Sequence, residues 1–171
     1  MASMFAELIR LLTLTGSHVI ARRYFVVNGF DGALTMLGLL VGFYVSNEVR
    51  LPVVINACLG VAIALGMSGV SSAYISEVAE KQRELRELEK AMVADLGQSA
   101  HGRAARFLPV FIAFVNGVAP LAIALVILLP LWAAPLLKPF SLHPLESAFG
   151  LALIMIFLLG VYLGRISHTF W

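Results

Sequence analysis

The stretch YFVVNGFDGALTMLGLLVGFYVS, residues 24–46, decides the fold. It is long enough to cross a bilayer, which takes about 20 apolar residues in a helix. It holds one charge, Asp31, with no Lys or Arg in the same stretch to pair with it. A lone carboxylate at that depth costs about 2.5–3.5 kcal/mol on insertion scales. Packing alone does not require one, so the residue points to cation binding or proton transfer.

Three further apolar stretches follow, at residues 51–76, 107–137 and 147–164. The second and third carry no charge. Pro120 and Pro130 interrupt the stretch at 107–137, which predicts a kinked or tilted helix with an irregular exit over residues 134–144. The whole chain is 60% hydrophobic and 13% charged, with mean hydropathy +0.93, the composition of an integral membrane protein. The expected fold is an all-α polytopic bundle of four spans in a lipid bilayer. Its segments are an amphipathic N-terminal segment (1–22), spans one and two (23–76), an acidic helix with linker (77–106), and spans three and four with the C-terminus (107–171). Phe5, Leu8, Ile9 and Leu12 recur at helical spacing in the first segment, while Glu7 and Arg10 break any signal-peptide core.

The basic residues set an expected orientation. Arg10, Arg22, Arg23, Arg165 and the six Lys and Arg of residues 77–106 fall on one side, while Arg50 and Lys138 fall on the other. Positive residues stay in the cytosol, so both termini and residues 77–106 are expected there. With no targeting segment legible, a prokaryotic plasma membrane is the expected location. The basic residues are topological, with no nucleic-acid patch among them. No phosphate loop, dinucleotide fingerprint or zinc-protease motif occurs, so no enzyme is indicated and no cofactor is expected. The single cysteine, Cys58, excludes an intrachain disulfide and reads as a small buried packing residue.

Wound as a helix, span one places Asn28, Asp31, Thr35, Gly38, Gly42 and Ser46 on one stripe roughly 80° wide. Asn56, Gly60, Met67, Ser71 and Tyr74 form a matching stripe on span two, roughly 60° wide. The plain reading is helix contact, for which Gly38 and Gly42 are a suitable small-residue pair. The functional reading is a polar pathway lined by Asn28, Thr35, Ser71 and Tyr74. Counted from the basic flanks, Asp31, Met67, Asn116 and Met155 all lie roughly 12–15 Å deep. A carboxylate, an amide oxygen and a thioether suit a borderline divalent transition metal better than Ca²⁺ or Mg²⁺. Asp31, Met67 and Asn116 are therefore the expected transport ligands, and coincidence is the competing account for the methionines. Span two is expected to run straight into the following helix, since no breaker lies between Tyr74 and Glu89; Glu77, Glu80, Glu84 and Glu87 share one face of that helix, which is predicted to stop at Gly97. They are either a cation-collecting strip or half of an ordinary solvated, ion-paired helix.

The segments FVVNGFDGALTMLGLLVGF (25–43) and GMSGVSSAYISEVAEKQRE (66–84), with FVNGVAPLAIAL (114–125), resemble the vacuolar iron transporter family. That family carries G-x-x-D-G in its first span, and the Asp31-Gly32 core is kept. Ser68, Tyr74 and Ser76 hold the frame of its S-M-A-x-G-E-Y-x-S motif, while Gly69 stands at the methionine position and Ala73 at the glutamate position. The family has five spans, against four legible here. The resemblance implies a homodimer with the ion path at its interface. It also implies proton-coupled movement of Fe²⁺ or Mn²⁺, with Asp31 exchanging the metal for a proton and export from the cytosol as the direction. The alternatives are a non-transporting subunit that uses Asp31 for packing or docking, and a proton-coupled carrier of a small organic substrate.

Overall fold

The computed structural model describes residues 17–46, 50–134 and 143–166. The expected amphipathic helix around Phe5–Leu12 and most of the expected irregular exit at 134–144 lie outside the described residues. Four helices make up the described chain: α1 (Ser17–Val45), α2 (Leu51–Met92), α3 (Ala100–Trp132) and α4 (Pro144–Ile166). There is no strand among the described residues. All four helices are long and apolar enough to cross a membrane, and the protein is an integral membrane protein.

Spanning segments must satisfy their backbone groups internally, which is why every span is helical. Successive helices run in opposite directions. One end of the bundle therefore collects Arg22, Arg23, the outer part of α2, the start of α3 and Arg165; it is the basic end. The centre belongs to α3, more than half of whose spanning window is buried, against a third or less for each of the others. Against it packs a core that includes Met36 and Leu40 of α1, Cys58 and Ala62 of α2, Ile127 and Leu128 of α3, and Ala148 and Ala152 of α4.

Glycines set how closely the helices approach α3. A Cβ on Gly32 would lie 2.7 Å from Pro120 Cα, so α1 and α3 touch backbone to backbone. On the other side, Gly69 rests on Asn116, where a Cβ would come within 3.1 Å of the Asn116 carbonyl oxygen. A Cβ on Gly117 would fall 2.6 Å from the Gly66 carbonyl oxygen and overlap Val70. Bilayer-embedded helices gain little from hydrophobic burial against one another, so this van der Waals fit holds them together. Pro109, Pro120 and Pro130 all lie inside α3 without ending it. Each leaves the carbonyl four residues earlier without its helical donor.

At 42 residues, α2 is about 63 Å long, roughly twice the hydrocarbon thickness. Its outer half projects from the basic end as a continuation of the span. The predicted stop at Gly97 is corrected: α2 ends at Met92, capped by Val93 in the left-handed conformation at φ 48°. Its exit is fixed by side chains, since Glu89 Oε1 accepts from Leu96 N at 3.1 Å and Asp95 Oδ1 from Gly97 N at 2.8 Å. Ser99 then caps α3, its Oγ accepting from Gly102 N at 3.2 Å. Asp95 and Ser99 mark this turn in the sequence as clearly as Gly97 does.

Candidate functional site

Asp31 sits in the middle of α1 with its side chain exposed on the surface of the single chain. Among the described residues no ion pair or hydrogen bond reaches its carboxylate. Gly38 and Gly42 on the same stripe are also uncovered, with no atom within 4 Å of where a Cβ would stand. Their small-residue pairing therefore serves no contact among the described residues. Thr35 is half-buried beside them.

The α2 stripe is open as well. Asn56, Gly60, Met67, Ser71 and Tyr74 are all exposed, and Gly60 has nothing within 4 Å of a Cβ. Ser71 Oγ is turned back onto the Met67 carbonyl at 2.9 Å. The Met67 thioether belongs to this uncovered face, at 62% exposure, while Gly69 points the opposite way into α3. Two residues turn a helix by about 200°, which accounts for the opposition.

Asn116 lies inside the protomer, at 3% exposure. Its Nδ2 donates to the Gly69 carbonyl oxygen at 2.7 Å, and its Oδ1 accepts from Asn28 Nδ2. Asn28 Nδ2 also reaches the Tyr24 carbonyl oxygen at 3.1 Å. These side chains tie α1, α3 and α2 together and use both ends of the Asn116 amide on protein partners. Asp31, Met67 and Asn116 thus do not converge within one chain. Met155 is half-buried against the apolar core. Among the described residues, no three His, Cys, Asp or Glu side chains gather into a metal-binding group.

The acidic face divides in the same way. Glu80, Glu84 and Glu87 are exposed, but Glu84 takes the buried Lys81 ammonium at 2.8 Å and Glu87 takes Arg83 Nε at 3.0 Å. The hydrogen bond and charge of Glu87, with Glu80 adding, hold the Arg83 guanidinium above its ordinary pKa. Glu77 leaves the strip altogether: it is 7% exposed and lies beside the Tyr24 phenol.

Helical periodicity gives which residues share a side of a helix but not which of them meets another helix: Asn28 and Glu77 turn inward while Asp31 and Glu80 on the same stripes stay exposed. The Asn28–Asn116 pair and the Glu77 burial had only weak signals in advance. Those signals were the tight glycine pattern of Gly66, Gly69 and Gly117, and the polar Asn116 placed beside Gly117.

Over 152 residues the chain is 29% identical to an uncharacterized protein of Methanocaldococcus jannaschii, a match covering 85% of this chain and 74% of that protein. No protein family's sequence profile matches the chain, and no solved structure does.

Proposed function

We propose that this protein exports a divalent transition metal, Fe²⁺ or Mn²⁺, from the cytosol in exchange for protons, along a path between two copies of the chain. The observation that carries this reading is the bare carboxylate of Asp31 on an otherwise uncharged, open face at the middle of a membrane span. Lipid is a poor neighbour for a carboxylate. A second copy seated on the same face would cover it, and Gly38, Gly42 and Gly60 leave room for two backbones to approach. A two-fold pairing would bring two Asp31 carboxylates and the outward Met67 thioethers to one seam, a donor set suited to a borderline metal. Asp31 would release a proton as it takes the metal. The exposed Glu80, with Glu84 and Glu87, would attract cations to the mouth, which on the positive-inside rule would face the cytosol. A prokaryotic plasma membrane suits a chain of this kind.

The test is Fe²⁺ and Mn²⁺ flux into proteoliposomes under a pH gradient, comparing wild type with Asp31→Asn. Gradient-driven flux that disappears in the variant supports the reading. A folded wild-type protein that moves neither metal overturns it. That result would favour the second reading, a non-transporting subunit, for which the full engagement of Asn116 by protein partners already speaks.

A further inference from the structure

Charge is divided unevenly at the basic end of the bundle. Among the described residues there, every acidic side chain belongs to α2 or to the turn after it: Glu77, Glu80, Glu84, Glu87, Glu89 and Asp95. The bases of α2 answer them, as in the Lys81–Glu84 and Arg83–Glu87 pairs. The ends of α1, α3 and α4 differ. Apart from His101, their basic residues are Arg22, Arg23, Arg103, Arg106 and Arg165, all arginine, with no Asp or Glu among them. No acidic residue occurs anywhere on α3. On α1 the nearest is Asp31, about 13 Å further in than Arg22, and on α4 it is Glu146 at the opposite end.

The contacts between α1 and α4 show where two of these arginines meet. A Cβ on Gly29 would lie 3.5 Å from the Leu159 side chain, and one on Gly160 would lie 3.7 Å from the Phe30 ring. Arg22 and Arg23 come two turns before Gly29 and Phe30, so they leave α1 on the face that α4 covers further in. Running the other way, α4 reaches Arg165 soon after Gly160. The rises from these contacts, about 10 Å along α1 and about 8 Å along α4, bring Arg22 and Arg165 to one level within about 3 Å. Helices in contact lie about 8–10 Å apart, a gap that two guanidiniums can close on one small anion. Arg22, Arg23 and Arg165 are all exposed. Arg23 stacks over the Tyr24 ring at 6.0 Å, on the side where Glu77 lies buried, yet no ion pair joins the two. Arg22 and Arg165 have no ion pair among the described residues either. Just inside this level the surface is apolar, with Phe25 on α1 and Val161 and Tyr162 on α4 exposed.

We propose that Arg22 and Arg165, with Arg23 beside them, bind the phosphate of an anionic phospholipid in the seam between α1 and α4. Guanidinium forks match phosphate oxygens and stay charged at any physiological pH. No carboxylate on either helix competes at this level, so the anion must come from outside the chain. Basic clefts between transmembrane helices hold lipid headgroups in this way. A soluble anion would leave Phe25 and Tyr162 unused, whereas an acyl chain would lie along them. Setting topology requires arginines on one side of the membrane, but neither a shared level nor one from each of two touching helices. The inference is independent of metal transport.

The test is native mass spectrometry of the full chain in detergent, titrated with phosphatidylglycerol and with phosphatidylcholine of the same acyl chains. Wild type should retain phosphatidylglycerol in preference to phosphatidylcholine. Arg22→Gln with Arg165→Gln should weaken phosphatidylglycerol binding about 25-fold, about fivefold for each arginine. Arg83→Gln with Arg86→Gln removes the same charge from α2 and should leave binding unchanged. If the seam double variant does not fold, Arg165→Gln alone should cost about fivefold. Equal retention of the two lipids, equal weakening by both double variants, or no weakening from the seam variants overturns the proposal. Inorganic phosphate that displaces phosphatidylglycerol at matching concentration also overturns it, because the site would then be one for a soluble anion.

Discussion

Gly117→Ala is the most direct test of how this bundle is held together. The added methyl would overlap the Val70 side chain and lie 2.6 Å from the Gly66 carbonyl oxygen and 3.2 Å from Val70 N. The Val70 side chain can rotate away, but the Gly66 backbone cannot, so α2 and α3 must part by most of an ångström. Overpacking of this kind costs about 1–3 kcal/mol. Against it stands the better helix propensity of alanine, up to about 1 kcal/mol. The clash wins, because parting the helices also loosens the Asn116 bond to the Gly69 carbonyl. Thermal unfolding in mild detergent should show it: in a chain of this size each kcal/mol is worth about 2–4 °C. Gly150→Ala is the matched control, since nothing lies within 4 Å of its Cβ position. That variant should be neutral or slightly stabilising. Gly117→Ala melting at or above the control would refute close glycine packing as the basis of the α2–α3 contact.

A double-mutant cycle on Asn28→Ala and Asn116→Ala should give a coupling of about 0.6–1.7 kcal/mol, the range for interhelical hydrogen bonds in membranes; additive effects would deny the pair. Cys58 is wholly buried, so a thiol-reactive maleimide should label it only after unfolding, and mass spectrometry of native protein showing rapid labelling would contradict its place in the core. The exposed Arg83–Glu87 pair should contribute nothing measurable, so Arg83→Ala should melt with the wild type; a clear drop would mean the projecting part of α2 has a partner that binds there. Replacing Gly38 with Leu should leave the protomer fold intact, because that face is open, while weakening any two-copy assembly detected by cross-linking in membranes.

The sequence by itself determined the all-α membrane fold and the run of α2 from span into projecting helix. Apolar length, charge placement and the absence of breakers are local properties, and a bilayer allows few other answers for the backbone. It also determined that Asp31, Met67, Gly38 and Gly60 lie on one-sided stripes, because 3.6-residue periodicity is fixed by the helix alone. Only the tertiary structure decided what each stripe meets. Asn28, Glu77 and Asn116 look no more buried in sequence than Asp31 does. They turn inward because glycines on α1, α2 and α3 let those helices close on their side of the bundle, while none of the four described helices covers Asp31. The same contrast explains the end of α2. Propensity pointed to Gly97, but the bonds from Asp95, Glu89 and Ser99 that close the turn between α2 and α3 place the break at Val93. Burial is a relation between helices, and a single helix's pattern records only which residues share a side.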